Sequence, residues 1–239
     1  MNSLVLASSA LTPKCASSLR SLGFEVIIMP KYERLSESVS SHPDMLAFFY
    51  GNKYICNKEY YSIASECFEK INSYGYSPIF TDEIPSEKYP SDILFNSLVL
   101  GDKLFCLEKG ASRELIKFAK SNGLQIINTT QGYTKCSVCK VCDNAIITAD
   151  KGLSSLAKSK DIDVLTVSEG HVKLEGYDYG FIGGASGVFA DTVYFCGNLD
   201  SHPDAKEIVA FCKKHKKETF SLSDEELFDV GTLFFLRKV

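Results

Sequence analysis

The sequence predicts a closed ring of five ββαβ units, an α/β propeller whose fifth unit is split between the N- and C-terminal ends of the chain. Three observations predict it. A unit recurs at a spacing of roughly 45–50 residues: a short apolar strand behind a polar residue, a tight turn, a second strand, an amphipathic helix and a third strand. Cys56, Cys106 and Cys196 fall at the same place in three of the copies. Residues 229–236 open a unit with nothing after it, and the N-terminal segment holds what is missing: a strand, a helix and a second strand. If the two halves meet, the ring closes and leaves none of the exposed edges of an open array. A series of ordinary α/β units is the alternative, but it carries one strand per helix, whereas this pattern carries two or three.

Each element has its own signature. The N-terminal part reads as strand 4–7, helix 13–22 and strand 24–29. Thr12-Pro13 caps that helix with proline in its first turn, Ala16, Leu19 and Leu22 form its apolar stripe, and Gly23 stops it. The first complete unit opens on His42-Pro43-Asp44-Met45-Leu46-Ala47-Phe48-Phe49, turns at Gly51-Asn52 and continues as Tyr54-Ile55-Cys56. Its helix carries Ile63, Ala64, Cys67, Phe68 and Ile71 at spacings of three and four, ending near Gly75. The second opens on Pro90-Ser91-Asp92-Ile93-Leu94-Phe95 and turns at Gly101-Asp102 to Leu104-Phe105-Cys106; Leu115, Ile116 and Ala119 mark its helix before Asn122-Gly123. The third opens on Asp143-Asn144-Ala145-Ile146-Ile147-Thr148, with a short helix marked by Leu153, Leu156 and Ala157. The fourth opens on Ala185-Ser186-Gly187-Val188-Phe189 and leads to Tyr194-Phe195-Cys196; Ala205, Ile208, Phe211 and Cys212 make its helix face.

The period runs through the midpoint without a linker, so residues 1–239 are expected to form a single domain. With 45% hydrophobic residues the chain can bury a substantial core. Its net charge of −4, from 26 basic and 30 acidic residues, argues against an extended nucleic-acid footprint. The basic run from Lys213 to Lys217 sits at a helix end, where cations suit the dipole. There is no signal-peptide pattern and no apolar run of about 18 residues, so no membrane association and a cytoplasmic location are expected. Nine cysteines, an odd number, point to reduced thiols rather than a disulfide framework.

Several residues could carry chemistry. Polar residues at the starts of the opening strands, Asp44, Asp92, Asp143, Asn144 and Ser186, converge on one mouth of the axis if the ring closes. Gly183, Gly184 and Gly187 leave room there for close approach to the backbone. The plain alternative is that these are strand-capping turn residues. His42 and His171 are candidates for proton transfer beside such carboxylates, whereas His202 and His215 read as surface residues. Cys136-Ser137-Val138-Cys139-Lys140-Val141-Cys142 has the C-x-x-C spacing that grips zinc or iron–sulfur clusters. No fourth ligand accompanies it, and a strand would scatter its thiols to both faces. Packing, reactive and metal-binding thiols all stay open; no metal and no cofactor are expected.

With its split five-unit ring, the chain resembles the pentein, or guanidino-group-modifying enzyme, fold. That fold includes arginine deiminases, dimethylarginine hydrolases, amidinotransferases and the ribosome anti-association factor. The resemblance covers nearly the whole chain as a repeat pattern and implies a bacterial branch of the fold. Asp143-Asn144 looks like the start of the strand where the hydrolases carry Gly-Gly-Asp, and Gly170-His171-Val172-Lys173 looks like their histidine motif. The last strand departs from the pattern: Val230-Gly231-Thr232-Leu233-Phe234-Phe235 has no cysteine where the family's nucleophile falls. The resemblance therefore implies an acidic axial pocket for a cationic guanidino or amino compound. His171 would move protons, Asp143 or Asp92 would bind substrate, and Cys136 is the substitute nucleophile. Asp44, Asn144, Ser186 and His42 would complete the lining. A non-catalytic binding or assembly module, like the anti-association factor, is the other reading, and a cysteine-cluster metal protein a third.

Overall fold

The computed structural model describes residues 3–239. The N-terminal part is β1 (Ser3–Ser8), α1 (Pro13–Ser21) and β2 (Glu25–Met29). Next come α2 (Pro43–Leu46), β3 (Ala47–Tyr50), β4 (Lys53–Asn57), α3 (Lys58–Ile63), α4 (Ser65–Ser73) and β5 (Ser77–Thr81). The following unit is β6 (Leu98–Leu100), β7 (Lys103–Cys106), α5 (Arg113–Ser121) and β8 (Gln125–Asn128). It is followed by β9 (Val138–Cys142), β10 (Ala145–Thr148), α6 (Lys151–Lys158) and β11 (Asp163–Thr166). The chain ends with β12 (Ser186–Phe189), β13 (Thr192–Phe195), α7 (Ala205–Lys214), β14 (Glu218–Ser221) and β15 (Phe234–Arg237).

These strands form five three-stranded sheets of one design, β15-β1-β2, β3-β4-β5, β6-β7-β8, β9-β10-β11 and β12-β13-β14. In each, the first strand pairs antiparallel with the middle one, and the middle one pairs parallel with the last. The parallel pair needs a crossover, and one or two helices supply it every time. The two chain ends share a sheet: Ser3 lies opposite Arg237 and Leu6 opposite Phe234, which closes the ring. The first strands face the axis, with β12 packed beside both β9 and β15.

Local chemistry sets the helix boundaries as the sequence suggests. Thr12 caps α1 by accepting the Cys15 N–H at 3.3 Å, and Gly23 leaves the helix with φ at 87°. Asn57 and Asp150 cap α3 and α6 in the same way, accepting from Tyr60 and Leu153. Apolar clusters then join neighbouring sheets rather than filling one centre. Leu4, Leu6 and Met29 of the terminal sheet pack with Tyr54 of the next sheet and with Tyr60 and Phe68 of its helices α3 and α4. Cys56, Cys106 and Cys196 are buried at the ends of the middle strands, where burial pushes the Cys56 and Cys106 thiols up to about 12.

The opening strands differ from the sequence expectation in where they begin. His42 to Leu46 form the helical turn α2 rather than strand, because His42 and Pro43 start a helix that ends at Ala47. Residues 90–97 are loop, and the strand starts at Leu98. In the third unit the expected opening strand is the middle strand β10; the true first strand is β9, the cysteine segment. Asp143-Asn144 is therefore the hairpin turn between them. None of the described helices is long and apolar enough to cross a membrane.

Candidate active site on the ring axis

The segments just before the first strands, not the strands themselves, build a buried polar group. His42 and Asp44 come from α2, Asn96 from the loop before β6, Lys135 and Cys136 from the loop before β9, and Asp229 and Thr232 from the loop before β15. Asp44 is 0% exposed, and Asp229 and His42 are 2% exposed. Such burial of ionisable groups is costly unless they are paired.

Asp229 is held by backbone. Its Oδ2 accepts the Phe181 N–H and its Oδ1 the Gly231 N–H, both at 2.9 Å. The His42 Nδ1 stands 3.8 Å from Asp229 Oδ1. Asp44 Oδ2 accepts from the Thr232 hydroxyl at 2.9 Å, and that hydroxyl oxygen is 3.3 Å from the Lys135 ammonium that donates to it. A relay of three groups, Lys135, Thr232 and Asp44, thus crosses the axis. Thr232 sits at φ 68°, a conformation costing a β-branched residue about 1–3 kcal/mol. Its hydroxyl contacts hold it there.

Burial dominates the electrostatics. It pushes Asp44 up to about 6, against the opposing pull of His42, Lys135 and the Thr232 hydrogen bond. Asp229 is pushed up to about 6 by burial as well, against its two backbone donors and Lys135. Burial lowers His42 toward the neutral imidazole and lowers Lys135 from the usual ammonium range. Three polar atoms of this region have no hydrogen-bond partner among the described residues: His42 Nε2, Asp44 Oδ1 and Asp92 Oδ1. Each such atom costs about 1–3 kcal/mol when left unmade.

Asp229 also reaches a cleft of about 1010 Å³ between residues 173–178, the Ser9–Thr12 turn and Glu225–Phe228. The cleft is lined by the carboxylates of Glu37, Glu175, Asp178, Glu225, Glu226 and Asp229, against the lysines Lys31 and Lys173. Both lysines are already engaged, with Glu37 and Glu226. The remaining field in the cleft is negative.

The structure brings together Asp44, His42, Cys136 and Ser186 of the residues named from sequence. Ser186 starts β12 with its hydroxyl 3.3 Å from the Gly183 carbonyl. Asp92 is buried nearby, bonded to the Tyr133 hydroxyl, and Tyr133 also offers its carbonyl to the Cys136 thiol. Asp143 and Asn144 lie elsewhere. Both are exposed in the β9–β10 turn, Asp143 paired with Lys140 at 2.7 Å and Asn144 beside the Cys142 thiol at 3.0 Å. His171 is exposed and faces His202, ring centroids 5.3 Å apart, across a separate cavity of about 110 Å³. Gly180 lines that cavity and packs on Asp229, so the segment 180–182 stands between His171 and the axis.

Two further expectations change. Gly183 and Gly184 leave no room for a ligand, because the protein fills it. A Cβ at Gly184 would stand 1.9 Å from Asp229 Oδ1, and one at Gly183 would stand 2.4 Å from the Val138 carbonyl oxygen. The three thiols of the cysteine run do not share one point. Cys136 contacts Asn96, Cys139 is buried close to Ser186, and Cys142 faces His215 Nδ1 at 4.0 Å. Among the described residues no group of three or more His, Cys, Asp or Glu side chains is arranged to hold a metal ion. Cys136 is a poor nucleophile as it stands. Burial, with the Asp44 and Asp229 carboxylates, raises its thiol well above the ordinary range.

Sequence reading missed Lys135, Asn96 and Tyr133 and passed over Asp229 and Thr232 as strand residues. The signal for the last two was present in Asp229-Val230-Gly231-Thr232, a polar start and a glycine where a thiol was sought.

The closed ring, with its axial polar group, defines a pentein-fold protein. DDAH from Pseudomonas aeruginosa, in a mutant form complexed with citrulline, is similar with a TM-score of 0.60 and 11% identity over 94% of this chain and 93% of that one. Agmatine deiminase of C. jejuni with substrate bound gives a TM-score of 0.58 and 11% identity over 98% and 93%. An amidinotransferase of saxitoxin biosynthesis from Microseira wollei gives 0.59 and 10% over 93% and 78%. At such identities the likeness is one of fold. No curated protein matches the sequence. The chain belongs to the family described as "Family of unknown function (DUF6873)", whose model matches residues 6–234.

Proposed function

We propose that the acidic cleft binds a small cationic amine or guanidinium compound, with its charged end on Asp229 and the His42–Asp44 pair behind it. The observation that carries this is the buried Asp229 carboxylate at the end of a negatively lined cleft, with His42 Nδ1 3.8 Å from it. An ionised Asp229 offers a charge-assisted hydrogen bond, and closing a ligand over it repays part of its burial. The pentein neighbours include a deiminase solved with substrate and a DDAH solved with citrulline, which makes guanidino compounds the first class to try.

The chemistry at this site proceeds without a thiolate. Neither the last strand nor the loop before it carries a cysteine, and burial raises the Cys136 thiol well above the ordinary range. His42 is the group fit for proton transfer: burial favours its neutral imidazole, its Nδ1 faces Asp229 and its buried Nε2 has no hydrogen-bond partner among the described residues. Lys135 places a cation beside Asp44, so the axis is less acidic than the sequence suggests, and the cleft side of Asp229 is where a second cation finds unmatched charge.

Calorimetric titration with agmatine, arginine and methylated arginines tests the reading. Saturable binding of at least one is expected, weakened roughly ten- to a hundredfold in Asp229→Asn, the worth of one charge-assisted hydrogen bond. Ammonia or urea release, measured in parallel, separates an enzyme from a binding module. Silence across the set, or binding unchanged in Asp229→Asn, overturns the reading.

A further inference from the structure

A second cavity, of about 440 Å³, opens at the other end of the axis, where the hairpin turns at Gly51, Gly101 and Asp143 lie. Its size suits a small organic ligand. The walls are aromatic, with Phe49, Tyr50, Phe95 and Phe234 among them, and the rings of Phe49 and Phe234 are 5.3 Å apart. At its inner end lies Lys135. The ammonium is 5.5 Å from the centroid of Phe234 and makes one side-chain hydrogen bond among the described residues, to Thr232. Its remaining donors are unused.

The other charges of the lining cancel. Lys140 at the rim is engaged by Asp143 at 2.7 Å and by the Val99 carbonyl at 3.0 Å. The Lys135 ammonium has no carboxylate within ion-pair distance among the described residues, Asp44 being reached only through Thr232, and it lines a chamber of mixed polar and aromatic character. A half-buried cation of this kind gains most from an anion that brings its own apolar body, since the ring replaces water along the aromatic walls while the charge is paired.

We propose that this cavity binds a small aromatic monoanion, an aryl carboxylate, with its ring among Phe49, Phe95 and Phe234 and its carboxylate on the Lys135 ammonium. The site is spatially separate from the cationic cleft, which lies at the Asp229 end.

Benzoate is the probe, and benzamide is its neutral match in shape. Ligand-observed NMR and calorimetry on the full chain should give saturable benzoate binding at roughly millimolar Kd or tighter, with benzamide at least about tenfold weaker. Lys135→Met keeps the side-chain stem and should weaken benzoate by about tenfold or more. Val99→Trp should fill the mouth and abolish binding. Asp229→Asn should still bind benzoate saturably, even where it loses cations. Absence of saturable benzoate binding up to about 10 mM, equal affinity for benzoate and benzamide, or full binding in Val99→Trp would each overturn the proposal. If Lys135→Met fails to fold, the benzamide comparison and Val99→Trp decide.

Discussion

At pH 8, Asp44→Asn should unfold at a higher temperature than the wild type, although it removes a side chain at the centre of the ring. The carboxylate is wholly buried, and one oxygen has no partner. Burial raises it from 3.8 to about 6. Between those values the native state holds a proton that the unfolded state has released, so stability falls as pH rises from about 4 to about 6 and stays low above that. The charge therefore costs the fold about 3 kcal/mol at pH 8 and almost nothing at pH 4. An amide in its place still accepts from Thr232 and carries no charge. The expected gain is about 6–12 °C in Tm at pH 8 for a chain of this size, shrinking toward zero at pH 4. Scanning calorimetry at the two pH values checks it. A loss of stability at pH 8 would mean that the carboxylate supports the fold. A residue that destabilises its own protein at neutral pH belongs to a site rather than to the scaffold.

Gly183→Ala should have the opposite effect and one of the largest of any single methyl. Its Cβ would stand 2.4 Å from the Val138 carbonyl oxygen and 2.5 Å from that of Cys136, both backbone. Those atoms cannot move freely, because the Gly184 N–H donates to the Cys136 carbonyl at 2.8 Å and thereby ties the segment before β12 to the loop before β9. Overpacking costs about 1–3 kcal/mol even where neighbours can yield. Here the upper end is expected, about 3 kcal/mol, or 6–12 °C in Tm. Gly51→Ala is the control. Gly51 has a left-handed φ of 57° but open space around it, so only the conformational cost of about 1 kcal/mol remains. Equal losses in the two variants would remove the steric argument.

The ring was legible because its signals are local and repeated. Alternation, turn glycines and helix caps recur with the period, and the unmatched ends could only complete each other. The site was legible in part. His42 and Asp44 stood out as polar residues heading an apolar run, and the run does pass the axis. Asp143 misled for a related reason. The third unit has two apolar strands in succession, β9 and β10, and cysteines at alternate ends obscured the first of them. Taking the second as the opener moved its leading aspartate from a hairpin turn to the axis. Lys135 could not be found by looking for carboxylates in a repeat, since no other unit has a lysine at that place. Asp229 was hidden by attention to the missing cysteine beside it. His171 lies outside the axial group, because the segment 180–182 intervenes between them.

Burial raises Asp44 and Asp229 to about 6, and a cation bound in the cleft as proposed is expected to draw Asp229 into its charged form. Carboxyl-carbon NMR from pH 4 to pH 8, assigned with Asp44→Asn and Asp229→Asn and repeated with agmatine, measures this directly. The pair should titrate near pH 6 in the free protein. Saturating agmatine should lower the midpoint assigned to Asp229 by about one unit or more, since each unit corresponds to a tenfold preference for the ionised site. Midpoints for both groups at about 4, the ordinary range for aspartate, and unmoved by agmatine would contradict the account.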